Sequence, residues 1–190
     1  FPCNHISIIN KLSRYKSIEL NLIPYNVRKH TGLLRYLIFK IGIHTKEIMV
    51  NIVSSSKEDK ILELTNALII KFPEITTLVN TINNTKSNIA SGQKEYIIHG
   101  SGYINEKIGK YTFRISPSAF FQTNSYQIKI LYDYILNIAE INKNDIIYDL
   151  FSGTGTIAIY LVNKAKKVYG FEIINQAVID AKINAKNNNI

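Results

Sequence analysis

The chain has 190 residues, 46% of them hydrophobic and 19% charged, which excludes a disordered chain and suffices for one or two domains with a buried core. No apolar run reaches the length of a membrane span, so no membrane attachment is expected, and the single cysteine, Cys3, excludes an internal disulfide and fits a cytoplasmic protein. The net charge of +9 is unevenly spread: residues 1–117 carry 16 Lys and Arg against 8 Asp and Glu, a balance of +8, while residues 118–190 carry 7 against 6, a balance of +1. A basic excess confined to the first region predicts a polyanionic partner, with RNA the natural candidate.

In chain order, residues 1–22 read as a helix with apolar spacing at Ile8, Ile9, Leu12 and Tyr15, closed by Pro24. Strands follow at Leu34–Ile41 and Glu47–Val53, where β-branched residues suit a sheet. Glu58–Phe72 has helical spacing at Ile61, Leu64, Leu68 and Ile69 and stops at Pro73. Short strands are expected at Thr76–Asn83, Glu95–His99 and Tyr111–Ser116, between turns rich in Asn, Ser and Gly. This first region, residues 1–117, reads as α+β with an antiparallel sheet. Arg28, Lys29 and Arg35 cluster there with His30, Tyr25 and Tyr36, a mixture of cations and rings that suits single-stranded RNA.

The second region, residues 118–190, alternates helix and strand. Ser125–Ala139 is helical, Ile146–Phe151 a strand, Gly155–Asn163 a helix, Lys167–Glu172 a strand, and Asn175–Asn188 a helix with Ala177, Val178, Ala181 and Ala185 on one side. This order predicts a parallel, Rossmann-like α/β sheet. Two parallel strands with their helices cannot bury both faces of such a sheet, so the chain is expected to be a piece of a longer protein, cut inside its catalytic domain.

The most informative stretch lies here. Asp149-Leu150-Phe151-Ser152-Gly153-Thr154-Gly155-Thr156 is a Gly-rich turn between an apolar strand and a helix, and Glu172 ends the next strand sixteen residues later. Glycines at 153 and 155 permit a tight turn and close approach to a ligand, and Glu172 stands where a carboxylate can accept both hydroxyls of a ribose. The third glycine of a dinucleotide fingerprint is missing. The ligand need not carry a pyrophosphate, and S-adenosyl-L-methionine suits the turn better than NAD does. His5, His30, His44 and His99 show no metal-ligand spacing, so no metal is expected.

Several segments together resemble the RumA/TrmA family of RNA uracil-5-methyltransferases. Ser116-Pro117-Ser118-Ala119-Phe120-Phe121-Gln122-Thr123-Asn124 is similar to the family's Ser-x-x-x-Phe-Phe-Gln-x-Asn segment, and Asp149–Thr156 to its Gly-rich turn. Gly170-Phe171-Glu172, Ala177–Ala181 and Asn184–Asn188 are similar to its second strand and helix, and Lys29–Arg35 and Thr45–Val50 to its first sheet strands. The Phe-Phe-Gln-x-Asn segment is the specific part, since the Gly-rich turn is shared by most methyltransferases. The resemblance implies a Rossmann-like domain that binds S-adenosyl-L-methionine and acts on rRNA, or on tRNA, with the protein a monomer. It implies that Gln122 contacts the methionine end, Phe151 and Thr156 line the pocket, Glu172 holds the ribose, and Asp149 shapes the turn with Gly153 and Gly155.

The family's chemistry adds a cysteine thiolate to uracil C6, so that C5 becomes nucleophilic, takes the methyl group and then loses its proton to a base. The family's nucleophile lies in a Ser-Cys-Asn-Pro segment that this sequence does not contain, and Cys3 is far from the turn. No catalytic residue is therefore assigned. Some relatives hold an iron–sulfur cluster on four cysteines; with one cysteine here, an isolated thiol is expected. Two other readings stay open: methylation of another acceptor, such as an adenine amino group, and a non-catalytic RNA-binding module.

Overall fold

The computed structural model of the chain describes residues 2–122 and 124–190, and side chains from residue 6 onward. The Cys3 thiol, the His5 imidazole and Thr123 lie outside the described residues. The chain divides into two compact units, one of residues 1–41 and 46–104, the other of residues 42–45 and 105–190. The sequence reading set the division at 117. The structure places it at Ile104/Asn105, because the hairpin that follows is fastened to the second unit.

The first unit starts with α1 (Pro2–Glu19) and contains β1 (Leu34–Ile41), β2 (Ile48–Ser54), α2 (Asp59–Lys71), β3 (Ile75–Ile82) and β4 (Lys94–His99). The sheet order is β1-β2-β3-β4. The antiparallel sheet expected from sequence is in fact mixed: β1 and β2 pair antiparallel, β2 and β3 pair parallel, and β3 and β4 pair antiparallel. The 13-residue helix α2 is the reason, since it supplies the crossover that a parallel pair requires. Ile61, Leu64 and Leu68, three and four residues apart, bury one stripe of α2 against Val50, Ile52, Ile75 and Leu78 of the central strands. In α1, Ile9 is buried and Leu12 packs beside it, but Ile8 and Tyr15 are 54% and 62% exposed. Those two, seven residues apart, share a neighbouring stripe that faces outward, and buried Ser13 takes the inward position one turn after Ile9.

The second unit holds β5 (Ile104–Ile108), which the sequence reading missed, β6 (Tyr111–Ile115), α3 (Ser125–Ile138), β7 (Ile146–Leu150), α4 (Thr156–Leu161) with a 3-10 turn to Lys164, β8 (Lys167–Phe171) and α5 (Asn175–Asn187). The β5–β6 hairpin turns at Gly109, whose φ is +59°. β7 and β8 pair parallel, with Asp149 opposite Gly170 and Leu150 opposite Phe171, as the βαβ pattern predicts. Ile108, Tyr111, Phe113, Ile128, Tyr132 and Ile159 form the core of this unit. Tyr148, Leu150, Tyr169 and Phe171 leave one face of the β7–β8 pair exposed, with the Tyr148 and Tyr169 rings stacked at 5.6 Å.

Polar side chains join α5 to the hairpin. Asn188 accepts from the Thr112 N–H at 3.0 Å and donates to the Thr112 carbonyl at 2.8 Å. Asn184 accepts from the Arg114 N–H at 2.7 Å and donates to the Arg114 carbonyl at 3.3 Å and the Thr154 carbonyl at 3.1 Å. Asp180 accepts from the Ser116 hydroxyl at 2.8 Å. Positions 180, 184 and 188 lie four apart on a helix and meet 116, 114 and 112, two apart on a strand. The match is geometric: four helical residues rise about 6.0 Å, and two strand residues about 6.6 Å. The amides thus act as the next strand for an edge of β6 that lacks one.

We expect Asn184→Ala to destabilise the second unit by about 3 kcal/mol in urea unfolding, because it strands buried donors and acceptors that cost roughly 1–3 kcal/mol each when unpaired. Exposed Asn187→Ala should stay within about 0.5 kcal/mol of the unaltered protein.

Candidate functional site

The turn after β7 follows an unusual backbone path. Phe151, Gly153 and Gly155 all take positive φ, at 62°, 54° and 79°. At Gly155 a Cβ atom would stand 3.1 Å from the Ala181 Cβ, so glycine also lets α5 approach the turn. Phe151 has no such freedom. A non-glycine residue in the left-handed region is strained by about 1–2 kcal/mol, yet its ring is 88% exposed and buries little. Strain without a packing return points to a ring held out for a ligand.

Two carboxylates set the turn. Buried Asp149, at the end of β7, accepts from the Ala158 N–H at 3.1 Å and so satisfies one unpaired amide of the first turn of α4. Burial raises its pKa, and the bond from Ala158 works against that. Glu172 accepts at one oxygen from Gly153 N–H at 2.9 Å and at the other from Ile173 and Ile174 N–H, both at 2.8 Å. Its pKa is lowered chiefly by the Ile174 bond; slight burial opposes this, and the Gly153 and Ile173 bonds add to it. The Glu172 carboxylate therefore fastens the Gly-rich turn to the end of β8. Each carboxylate oxygen has two acceptor positions. Oε1 is filled, and Oε2 keeps one, enough for one ribose hydroxyl.

Gln122, Asp149, Phe151, Gly153 and Thr156 line one cavity of about 100 Å³, together with Phe120, Phe121, Tyr132 and Thr154. Gly155 and Glu172 line a second cavity of about 250 Å³, between α4, β8 and α5. Ser152 borders both. The structure thus brings Gln122, more than twenty residues upstream, to the Gly-rich turn. Asn124 caps α3 by accepting from Gln127 N–H at 3.2 Å, which sets where the preceding segment ends. The Thr156 hydroxyl is paired with Tyr132 at 2.9 Å, and burial raises the Tyr132 pKa. Sequence reasoning missed Tyr132, although its place one turn after Ile128 on an amphipathic helix marked it as inward.

The basic cluster divides. Arg28 and Lys29 are exposed in a turn where Asn26 Oδ1 accepts from their backbone N–H groups at 3.0 and 2.9 Å. Arg35 instead donates to the backbone carbonyls of Asn83 at 2.9 Å, Thr85 at 2.6 Å and Ser87, and stacks over Tyr25 at 4.2 Å. Its charge holds the loop after β3. Among the described residues, no cluster of His, Cys, Asp and Glu is placed to hold a metal ion, and no helix is long and apolar enough to cross a membrane.

A sequence model of the tRNA (uracil-5-)-methyltransferase family matches residues 39–190. An RNA methyltransferase of Oceanobacillus iheyensis is 40% identical over 169 residues, covering 86% of this chain and 36% of that protein. One of Chlorobaculum tepidum is 39% identical over 185 residues, covering 96% of this chain and 38% of that protein. The chain therefore spans little more than a third of these relatives. Among solved structures, the Pyrococcus abyssi tRNA (uracil-54, C5)-methyltransferase in complex with S-adenosyl-L-homocysteine superposes with a TM-score of 0.76 at 28% identity, over 95% of this chain and 42% of that one.

One pH effect follows from Glu172. Because its folded pKa lies below the ordinary value of 4.5, its stabilisation is complete above that value and is lost as the pH falls through the lowered one. In thermal unfolding from pH 7 to pH 3, the advantage of the unaltered protein over Glu172→Gln should hold at neutral pH and shrink below about pH 4.5.

Proposed function

The chain belongs to the tRNA (uracil-5-)-methyltransferase family, and on that premise we propose that it holds the cofactor in methyl transfer from S-adenosyl-L-methionine to C5 of a uridine in rRNA or tRNA. The observation that carries this reading is the convergence of Gln122 with Asp149, Phe151, Gly153 and Thr156 on one cavity. At about 100 Å³ the cavity is smaller than a complete small-molecule site of a few hundred Å³, and it matches one end of an elongated ligand.

The donor set fits S-adenosyl-L-methionine, which supplies an electrophilic methyl group on a sulfonium. The Gln122 amide offers a donor and an acceptor to the amino-acid end. The exposed Phe151 ring offers a π face to a cation. Glu172 Oε2 offers its remaining acceptor position to a ribose hydroxyl. Asp149 and Glu172 hold the turn through their bonds to Ala158 and Gly153 N–H. Addition of a thiolate to C6 is a separate task, and the only cysteine in this sequence is Cys3. Ser152 is a weak substitute without a base beside it. We therefore expect this 190-residue polypeptide to bind cofactor without methylating uracil by itself.

The fit is tested by calorimetry with S-adenosyl-L-methionine, which carries the sulfonium that the Phe151 ring would face. Gln122→Ala, Phe151→Gly and Glu172→Ala should each weaken binding by about tenfold, as expected for one lost hydrogen bond or ring contact of roughly 1.4 kcal/mol. Unchanged affinity in all three would remove the site. Incubation with labelled cofactor and a uridine-containing RNA should yield no 5-methyluridine from the polypeptide alone. Methylation of an adenine amino group instead would favour another acceptor.

The basic first region supports RNA as the partner. Affinity for a single-stranded RNA should fall with salt by roughly 0.7 log units per log unit for each phosphate neutralised. Arg28→Glu with Lys29→Glu should lower both affinity and slope, whereas Lys164→Glu with Lys166→Glu should matter less. Arg35 is left out of the pair, since its substitution releases the loop it holds. Equal losses from the two pairs would refute an RNA contact centred on Arg28 and Lys29. We place rRNA first and tRNA second, and assay both.

A further inference from the structure

One buried charge of the second unit plays no part in the cofactor cavity. Glu106 of β5 is fully buried, and its carboxylate accepts from Ile43 N–H at 2.6 Å, His44 N–H at 3.0 Å, Lys107 N–H at 2.8 Å, the His44 ring at 3.1 Å and the Ser125 hydroxyl. Burial works to raise its pKa, but the Ser125 hydroxyl and the N–H groups of Lys107, His44 and Ile43 outweigh it and hold the group ionised. The two backbone bonds already tie the 42–45 segment to β5. The additional bond to the ring does something else: it orients an imidazole. An ionised carboxylate only accepts, so His44 Nδ1 carries a proton and Nε2 is the nitrogen left for a ligand.

That imidazole is 40% exposed and meets the edge of the Tyr126 ring at 5.6 Å and 62°. Tyr126 is itself 65% exposed, although it sits in the first turn of an amphipathic helix whose inward positions are Ser125, Ile128 and Tyr132. It follows Gln122, which lines the cofactor cavity, by four residues in sequence, and stands at the start of α3. Two exposed rings, one fixed by a buried carboxylate, match a base to be stacked and a ribose hydroxyl that donates to Nε2.

We propose that His44 and Tyr126 form a nucleotide-holding site for single-stranded RNA, with Tyr126 stacking on a base, His44 Nε2 accepting from a ribose hydroxyl, and Glu106 positioning the imidazole. The site would hold a nucleotide of the substrate strand at the start of α3. This inference rests on the RNA reading above. It is separate from the Arg28 and Lys29 turn, which belongs to the other compact unit.

The test titrates a fluorescein-labelled, uridine-containing single-stranded rRNA fragment into the protein at fixed salt and reads anisotropy. Calorimetry with S-adenosyl-L-homocysteine runs in parallel as a check on the fold and the cofactor cavity. Tyr126→Ala and His44→Ala should each weaken RNA binding about tenfold, in line with the loss of one stacked base, and leave S-adenosyl-L-homocysteine binding unchanged. Tyr126→Phe keeps the ring and should bind like the unaltered protein. Ultraviolet cross-linking should join the RNA to the peptide that carries Tyr126. Full RNA affinity in both alanine variants would overturn the site while leaving the RNA reading intact. So would a loss in Tyr126→Phe equal to that in Tyr126→Ala. An unaltered protein that binds no RNA would overturn the RNA reading, and this site with it.

Discussion

Asn184 is the point on which the second unit depends. Its one buried amide bonds the edge of β6 on one side and the Gly-rich turn on the other. The hairpin, the turn and α5 meet there, and a hydrophobic side chain of the same size could not hold them. The edge of β6 exposes backbone groups that need partners, and water is excluded from position 184. Asp180 and Asn188 extend the same solution a turn in each direction. The consequence reaches the cavity. Ser116, held by Asp180, begins the segment that ends at Gln122, so the helix behind the turn also determines where that segment leaves the hairpin.

Carboxylates perform a comparable task at three other points. Asp149, Glu172 and Glu106 each direct an acid at backbone N–H groups that no strand or helix satisfies. Glu172 and Glu106, each with several such donors, are held below the ordinary carboxylate pKa, whereas Asp149 has one such donor and burial raises its pKa. The Gly-rich turn is therefore preorganised by protein groups. Its left-handed conformations fall at residues 151, 153 and 155. Only at Phe151 is that conformation strained, and there the side chain faces solvent.

Charge needs a similar distinction between what holds the fold and what remains available. The excess of basic residues in the first region is a property of composition, but its members differ in kind. Arg35 is consumed by three carbonyls of the loop after β3, a use for which guanidinium geometry is well suited. Arg28 and Lys29 contribute their backbone N–H groups to the Asn26 turn and keep their side chains exposed. A count of cations cannot separate these cases, because the difference lies in partners about fifty residues away.

The sequence by itself determined the elements and their local chemistry: the βαβ order around Asp149 and Glu172, the parallel β7–β8 pair, the helical stripe of α2, and the glycines of the turn. These are legible because period, turn residues and strand composition act over a few neighbouring residues. Only the tertiary structure decided that the first sheet is mixed, that β5 exists and pairs with β6, that Ile8 and Tyr15 of α1 face outward, and that Asp180 and Asn184 are the buried residues of α5 beside Ala177. Each of these depends on a partner distant in sequence. An asparagine at a buried helical position looks like a surface residue until the strand edge that it completes is known. The same holds at the candidate site. Gln122, Phe151 and Glu172 stood out in the sequence, while the Tyr132–Thr156 contact and the His44–Glu106 pair emerged only when folding brought together residues more than twenty and more than sixty positions apart.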